Sequence, residues 1–236
     1  MNGKFVIGFF VTIVALPVVS LLVLLSEAGT SVENGETDDN ESATAPDSPP
    51  TLQIGIQRLN SGGCVACNLS HADLSQRDLS RADLRATDFS HANLDETLLI
   101  NAILSQATLH QTTLVHANLR GADLVEASID AVNLDDAQML QASLTDSRLS
   151  DTSLRESDLR DADLSAAVIR DSDFSGARLY GATLRETTLS NVNFSGADLR
   201  YVDFSDATLE NVNFDNARLS FAILPDGTGY HGVAPY

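Results

Sequence analysis

The stretch "SHADLSQRDLSRADLRATDFSHANL", residues 70–94, places Leu or Phe at 74, 79, 84, 89 and 94, usually with a small residue two positions earlier. From Leu69 to Leu224 every fifth residue is Leu, Ile, Met or Phe without a break, 32 positions in all. On an α-helix, five steps of about 100° rotate each apolar residue by about 140°, so no stripe forms and a helix is excluded. Along an uninterrupted strand, an odd spacing sends successive side chains to opposite faces. The chain can hold these residues on one side only by turning once per repeat.

The position two before each large residue shares its face. It is Ala at 18 of 32 sites and Ser, Thr, Val or Cys at the others, Arg77 excepted. Small-then-large inward positions fill a narrow interior without overpacking. The three remaining positions carry nearly all of the Asp, Asn, Arg, Gln and Glu. A polar exterior, an apolar interior and a corner every five residues describe a solenoid.

Tandem A-[DN]-L-x-x units, as in Ala72-Asp73-Leu74, Ala82-Asp83-Leu84, Ala92-Asn93-Leu94, Ala122-Asp123-Leu124 and Ala197-Asp198-Leu199, resemble the pentapeptide-repeat family over residues 65–224. The resemblance implies an all-β fold, a right-handed quadrilateral parallel β-helix with twenty residues per coil. Eight coils at about 4.8 Å each make a rod of about 38 Å. Residues n and n+20 then stack, so Leu74, Leu94, Leu114, Leu134, Leu154, Phe174, Phe194 and Phe214 form one structural core column.

Outside the repeats the chain changes character. Residues 5–25, FVIGFFVTIVALPVVSLLVLL, hold no charge and are long enough for a transmembrane helix that anchors the protein in a membrane. A cleaved secretory signal ending near residue 28 is the competing reading, although its apolar core is usually only about 7–15 residues. Lys4 precedes the span and no basic residue follows until Arg58. The positive-inside rule therefore puts residues 1–4 in the cytoplasm and the solenoid on the periplasmic or lumenal side, or in the periplasm if the segment is cleaved. Residues 26–50 carry seven acids and no base, the composition of a disordered acidic linker. Residues 51–64, with Leu52, Ile56 and Leu59 at near-helical spacing, form an N-terminal cap, and residues 225–236 a C-terminal cap, with Tyr230, Val233 and Tyr236 available to cover the last coil.

Cys64 and Cys67 are the only cysteines. Both fall on inward positions at the first corner, and four-residue turns bring their ends within about 7 Å, compatible with a disulfide. Buried thiols remain open as a second reading, and a metal site as a third, although a lone C-x-x-C supplies only two of the usual four ligands.

The surface shows no catalytic constellation, so an enzyme and a cofactor are not expected. His71, His91 and His110 sit at or near one column and could together hold zinc or copper, or simply be exposed polar positions. One outward column alternates Ile100, Arg120, Leu140, Arg160, Tyr180 and Arg200. Tyr180 is placed to stack between Arg160 and Arg200. The alternation reads either as the trace of a two-coil duplication or as an interaction strip for a protein partner, helped by Leu98, Ile103, Tyr201 and Phe221.

The net charge of −19 argues against direct nucleic-acid binding. The composition and the resemblance together suggest a non-enzymatic, membrane-tethered solenoid that presents flat faces for protein–protein interaction or scaffolding outside the cytoplasm. Cyanobacteria are rich in such proteins, which suggests a periplasmic or thylakoid-lumen setting. The alternative is acidic DNA mimicry, as in quinolone-resistance members of the family that engage DNA gyrase.

Overall fold

The computed structural model of the chain describes residues 50–230. The expected membrane span, the acidic linker up to residue 49 and residues 231–236 lie outside the described residues. Among the described residues no helix is long and apolar enough to cross a membrane.

The described chain is a parallel β-solenoid. One column of bridges steps eight times by twenty residues, from Gly63↔Asp83 to Asp203↔Ile223, with the same offset in the other columns. Every coil bonds to the next through a ladder of backbone groups: Leu74 N–H donates to Asn93 O at 2.8 Å, and Asn93 N–H to Ala72 O at 2.9 Å. The corner follows from the fifth position. Residues two after each large apolar one, such as His71 (φ 59°) and Gln76 (φ 59°), adopt the left-handed conformation. This lets Ala72 N–H reach back to Leu69 O at 3.1 Å and turns the chain inward again.

The A-[DN]-L motif also has a local cause. The Asp or Asn before the large residue accepts the N–H two positions on, as Asp73 Oδ1 does from Ser75 N–H at 3.2 Å and from its hydroxyl at 2.7 Å. Short polar residues at this position therefore satisfy the outward backbone of each turn.

One of the four sides departs from bridges and forms strands. β1 (Thr108–His110), β2 (Ser128–Asp130), β3 (Arg148–Ser150), β4 (Val168–Arg170), β5 (Thr188–Ser190) and β6 (Thr208–Glu210) pair in consecutive parallel order. The inward small position that follows these strands is Thr112, Val132, Thr152, Ser172, Val192 and Val212, never Ala. Mostly β-branched, these residues favour the extended backbone that Ala does not select. Where the side chain is a hydroxyl it offsets the altered turn: Thr152 Oγ1 donates to Ser150 O at 3.0 Å and Ser172 Oγ to Arg170 O at 2.7 Å.

The interior is one filled core. The column from Leu74 to Phe194 is buried throughout, and Phe174, Phe194 and Phe214 follow one another with centroids 5.1 and 5.8 Å apart. Phe214 is only partly buried, because no complete coil covers it. Thr87, Thr97, Ser147, Ser157 and Thr187 lie inside, each donating its hydroxyl to a backbone carbonyl. Among the described residues no buried side-chain polar atom lacks a partner.

Both rod ends are covered. α1 (Pro50–Leu59) lies across the first coil with Leu59 buried and Leu52 and Ile56 packed on the core. Gly55 makes this approach possible, since a Cβ there would stand 2.9 Å from Asn68 O. At the other end the chain reverses through Leu224–Thr228, Gly229 pairs antiparallel with Ile223, and Tyr230 packs against the core.

Candidate docking surface

The stacking register assigns each outward residue to a side. The side built on Leu79, Leu99, Leu119, Met139, Leu159, Leu179, Leu199 and Leu219 holds the alternating column. With its following corner it carries Arg81, Arg120, Arg160, Arg178, Arg200 and Arg218 against Asp78, Asp158, Asp161 and Asp198, a net of +2. The other three sides together carry 22 acids and five arginines. The single positive side is also the one with most of the exposed large apolar residues: Leu98, Tyr180, Tyr201 and Phe221.

Two arginines of this side, Arg160 and Arg200, are held in place by their own repeats. In Asp158-Leu159-Arg160 the guanidinium donates to both carboxylate oxygens at 2.7 Å. Asp198-Leu199-Arg200 repeats the arrangement at 2.7 and 2.6 Å. Arg178 and Arg218, one coil further, approach the same two carboxylates at 3.7 Å. Each cluster is thus two arginines on one aspartate. Arg200 outweighs burial in holding Asp198 below the usual carboxylate range. Burial pushes Asp158 up, but Arg160 and Arg178 win and hold it low as well. Arg120 follows Asn118 rather than Asp and is exposed.

Tyr180 is not sandwiched between Arg160 and Arg200. Only Arg200 lies over its ring, at 5.3 Å. The aromatic row instead runs diagonally: Tyr180 to Tyr201 at 5.1 Å, then Tyr201 stacked on Phe221 at 4.8 Å. Tyr201 (φ 61°) and Phe221 (φ 65°) hold corner positions that elsewhere go to polar or small residues. Phe221 is 68% exposed. Ile100 and Leu140 are half-buried. Arg120, Asp136, Gln138, Leu140, Glu156, Asp158, Arg160 and Arg178 line a shallow groove of about 320 Å³.

The other candidate residues lie elsewhere. His71 and His91 stack in parallel with centroids 4.7 Å apart, and His110 meets His91 edge-on at 5.5 Å. His110 Nδ1 is 2.6 Å from Asp130 Oδ2. The three imidazoles are brought together but do not converge: among the described residues no group of His, Cys, Asp or Glu could hold a metal ion. Cys64 and Cys67 are joined in a disulfide beneath α1, their Cα atoms 5.4 Å apart. Arg77, on an inward position, escapes burial by reaching out of the first coil to donate to Asn60 Oδ1 at 2.8 Å.

The carboxylate most deeply set in the surface is Asp135, which the sequence did not single out. It accepts from Ser153 Oγ at 2.5 Å and from Arg155 N, Nε and Nη2 at 3.0, 3.0 and 2.5 Å. Burial pushes its pKa up, and these donors outweigh it, leaving the group below the usual range. The signal was present as Asp135 and Arg155 twenty apart, opposite charges on adjacent coils.

The family model for pentapeptide repeats matches in eight copies, over residues 67–106, 102–139, 122–161, 142–185 and 177–216. No curated protein matches. Among solved structures the chain is similar to HetL, a pentapeptide repeat protein involved in heterocyst differentiation regulation from the cyanobacterium Nostoc sp. strain PCC 7120. Identity is 28%, coverage 74% of this chain and 98% of that one, and the TM-score 0.30. A pentapeptide repeat protein from the Arabidopsis thaliana thylakoid lumen is 20% identical, covering 66% and 74% with a TM-score of 0.31. QnrB1, a plasmid-mediated fluoroquinolone resistance protein, is 17% identical, covering 66% and 90% with a TM-score of 0.48.

Proposed function

The chain belongs to the pentapeptide-repeat family, and from that premise we propose that it is a non-enzymatic scaffold whose positive, aromatic side docks a protein partner outside the cytoplasm. One observation carries the reading: of the four sides of the solenoid only this one is net positive, and it also holds most of the exposed large apolar side chains. Arginine and tyrosine are the usual anchors of protein interfaces. Their fixing by Asp158 and Asp198 reduces the entropy lost on docking. Among the described residues the interior of the solenoid is filled by side chains, which directs the search for a functional surface to the outside.

The membrane tether and the far-side location rest on residues 5–25 and the position of Lys4. A periplasmic or thylakoid-lumen home permits the Cys64–Cys67 disulfide, which a reducing cytoplasm opposes. Cross-linking in native membranes followed by identification of attached proteins tests the reading, with the triple change Ile100→Ser, Leu140→Ser, Tyr180→Ser as control. The triple variant should lose a specific partner. Retention of every partner would remove this side from the function.

Acidic DNA mimicry is the second reading, supported by the 22 acids on the other three sides. Inhibition of purified gyrase supercoiling by the protein would favour it.

A further inference from the structure

We propose that the occupant of the arginine-aromatic side is a second copy of this chain, packed antiparallel across a two-fold axis level with the midpoint between Leu140 and Arg160. This rests on the scaffold reading above and names its partner. The alternation of the column supports this arrangement. The column reads apolar, Arg, apolar, Arg, apolar, Arg from Ile100 to Arg200. Such a row is not complementary to a parallel copy in register, but it is complementary to its own reversal.

When two rods lie side by side and head to tail, each column faces the same column running the other way. With the axis between Leu140 and Arg160, Arg120 faces Tyr180 of the second copy, Leu140 faces Arg160 and Ile100 faces Arg200. Each contact occurs twice. An arginine over tyrosine gains a cation–π contact, and an arginine over Leu or Ile covers it with its stem. Most flanking pairs agree: Asp78 meets Arg218, Arg81 meets Phe221, Asn118 meets Arg178 and Gln138 meets Asp158, while Leu98 meets Asp198, whose charge Arg200 and Arg218 already offset. Arg120, an exposed arginine that follows Asn118 rather than Asp, thereby finds a partner.

Sliding one copy by a single coil destroys the match. One direction sets Arg120 against Arg160 and Asp78 against Asp198, and the other sets Arg160 and Asp158 each against itself. The fitting register is also the one in which the rods overlap almost completely, the ladder running from Gly63 to Ile223. The like-charged encounter in it, Asp136 with Glu156 at the preceding corner, falls in the groove that Arg120, Arg160 and Arg178 line. None of the three acidic sides could meet its own copy without repulsion.

The side is about 34 Å long at about 4.8 Å per coil and about 10 Å wide, so each copy offers about 340 Å². A standard interface buries about 800 Å² per partner. The dimer is therefore weak in solution and gains from any tether that concentrates the chains.

Sedimentation of the full chain in detergent, over a concentration series, tests the proposal with charge variants at two exposed positions. Tyr180→Arg sets arginine against Arg120 twice per dimer and should weaken association about tenfold, equivalent to about 1.4 kcal/mol. Adding Arg120→Glu should restore it. Circular dichroism of each variant should match the parent. Maleimide cross-linking of Ser80→Cys protein mixed with Ser220→Cys protein should join the two kinds to each other and not each to itself. Association that Tyr180→Arg leaves unchanged, no rescue by Arg120→Glu, or Ser80→Cys joined to itself would each overturn the proposal. A monomer at every concentration would overturn it too, yet leave the scaffold reading standing on its own cross-linking test.

Discussion

The side built on Leu99 to Leu219 and the side built on Leu94 to Phe214 share one backbone and one core, yet they meet solvent in opposite ways. The first is net positive with exposed aromatic rings; the second carries eight acids against Arg155 alone. In this fold the inward two positions of each repeat decide shape, and the outward three are free to differ from side to side. Function therefore has to be sought in the columns, and each column can be altered without touching the core. The reverse does not hold, since a change inside breaks every side at once.

That asymmetry predicts the largest effect. Leu144 is fully buried. Leu144→Asp removes a burial contribution of about 1.5–3 kcal/mol and leaves an unpaired charge inside, so the total cost should be about 5 kcal/mol or more. Circular dichroism and hydrogen exchange should show the middle coils open, with the arginine side and the acidic sides lost together. A variant that keeps full protection would mean that the interior is not shared.

A smaller effect separates two neighbours on the acidic side. Asp135 is held by Ser153 and Arg155, whereas Asp136 is exposed. Asp135→Asn should cost about 2–3 kcal/mol, as for a charge-assisted hydrogen-bond set, and Asp136→Asn close to nothing. The pH dependence follows in sign. The folded pKa values of Asp135, Asp158 and Asp198 lie below that of an unfolded aspartate near 3.9. Their stabilisation is complete above about pH 4 and is lost as pH falls through the folded values. Thermal melts should decline below that point, and less steeply for Asp135→Asn. Equal costs for both substitutions would dissolve the distinction between structural and free acids.

The rod end differs from its middle in another way, because α1 and the disulfide stand where a coil would otherwise stack. Closing so short a loop contributes about 2 kcal/mol in the chain-entropy account. Cys64→Ser with Cys67→Ser should therefore lower the melting temperature modestly and speed hydrogen exchange at Leu69 and Leu74 first. Uniform loss of protection along the rod would show that the end is not a separate unit of opening.

How much of this was legible in the residues divides along the same line. The period of five, with Ala or another small residue two places earlier, compelled an inward-turning chain before any coordinates, and the twenty-residue register placed Ile100 to Arg200 in one row. What escaped reading depended on local chemistry. Nothing in the period says that Thr112, Val132 and Thr152 stiffen one side into strands, although their β-branching is visible once that side is known. Arg77 contradicted the inward rule in sequence, and only the cap shows Asn60 receiving it. His71 stacks on His91 and His110 meets His91 edge-on, an arrangement of the rings that spacing alone does not reveal. Charge per side became readable only when each outward residue had its column.

The smallest predicted effect concerns the corners that both sides share. Ala166 has φ 57°, a conformation that costs an L-residue about 1–2 kcal/mol. Glycine removes that strain but loses about 0.5–1 kcal/mol through the greater freedom of the unfolded chain. Ala166→Gly should therefore stabilise the protein by about 0.5 kcal/mol, read as a rise in denaturation midpoint with unchanged slope. Glu156 is a different corner: its side chain extends over Gly176 on the next coil, where a Cβ would stand 2.2 Å from Oε1. Gly176→Ala should consequently destabilise, by the φ of 69° and by displacing that carboxylate. If Ala166→Gly and Gly176→Ala moved the midpoint in the same direction, the left-handed corner would not be what limits these positions.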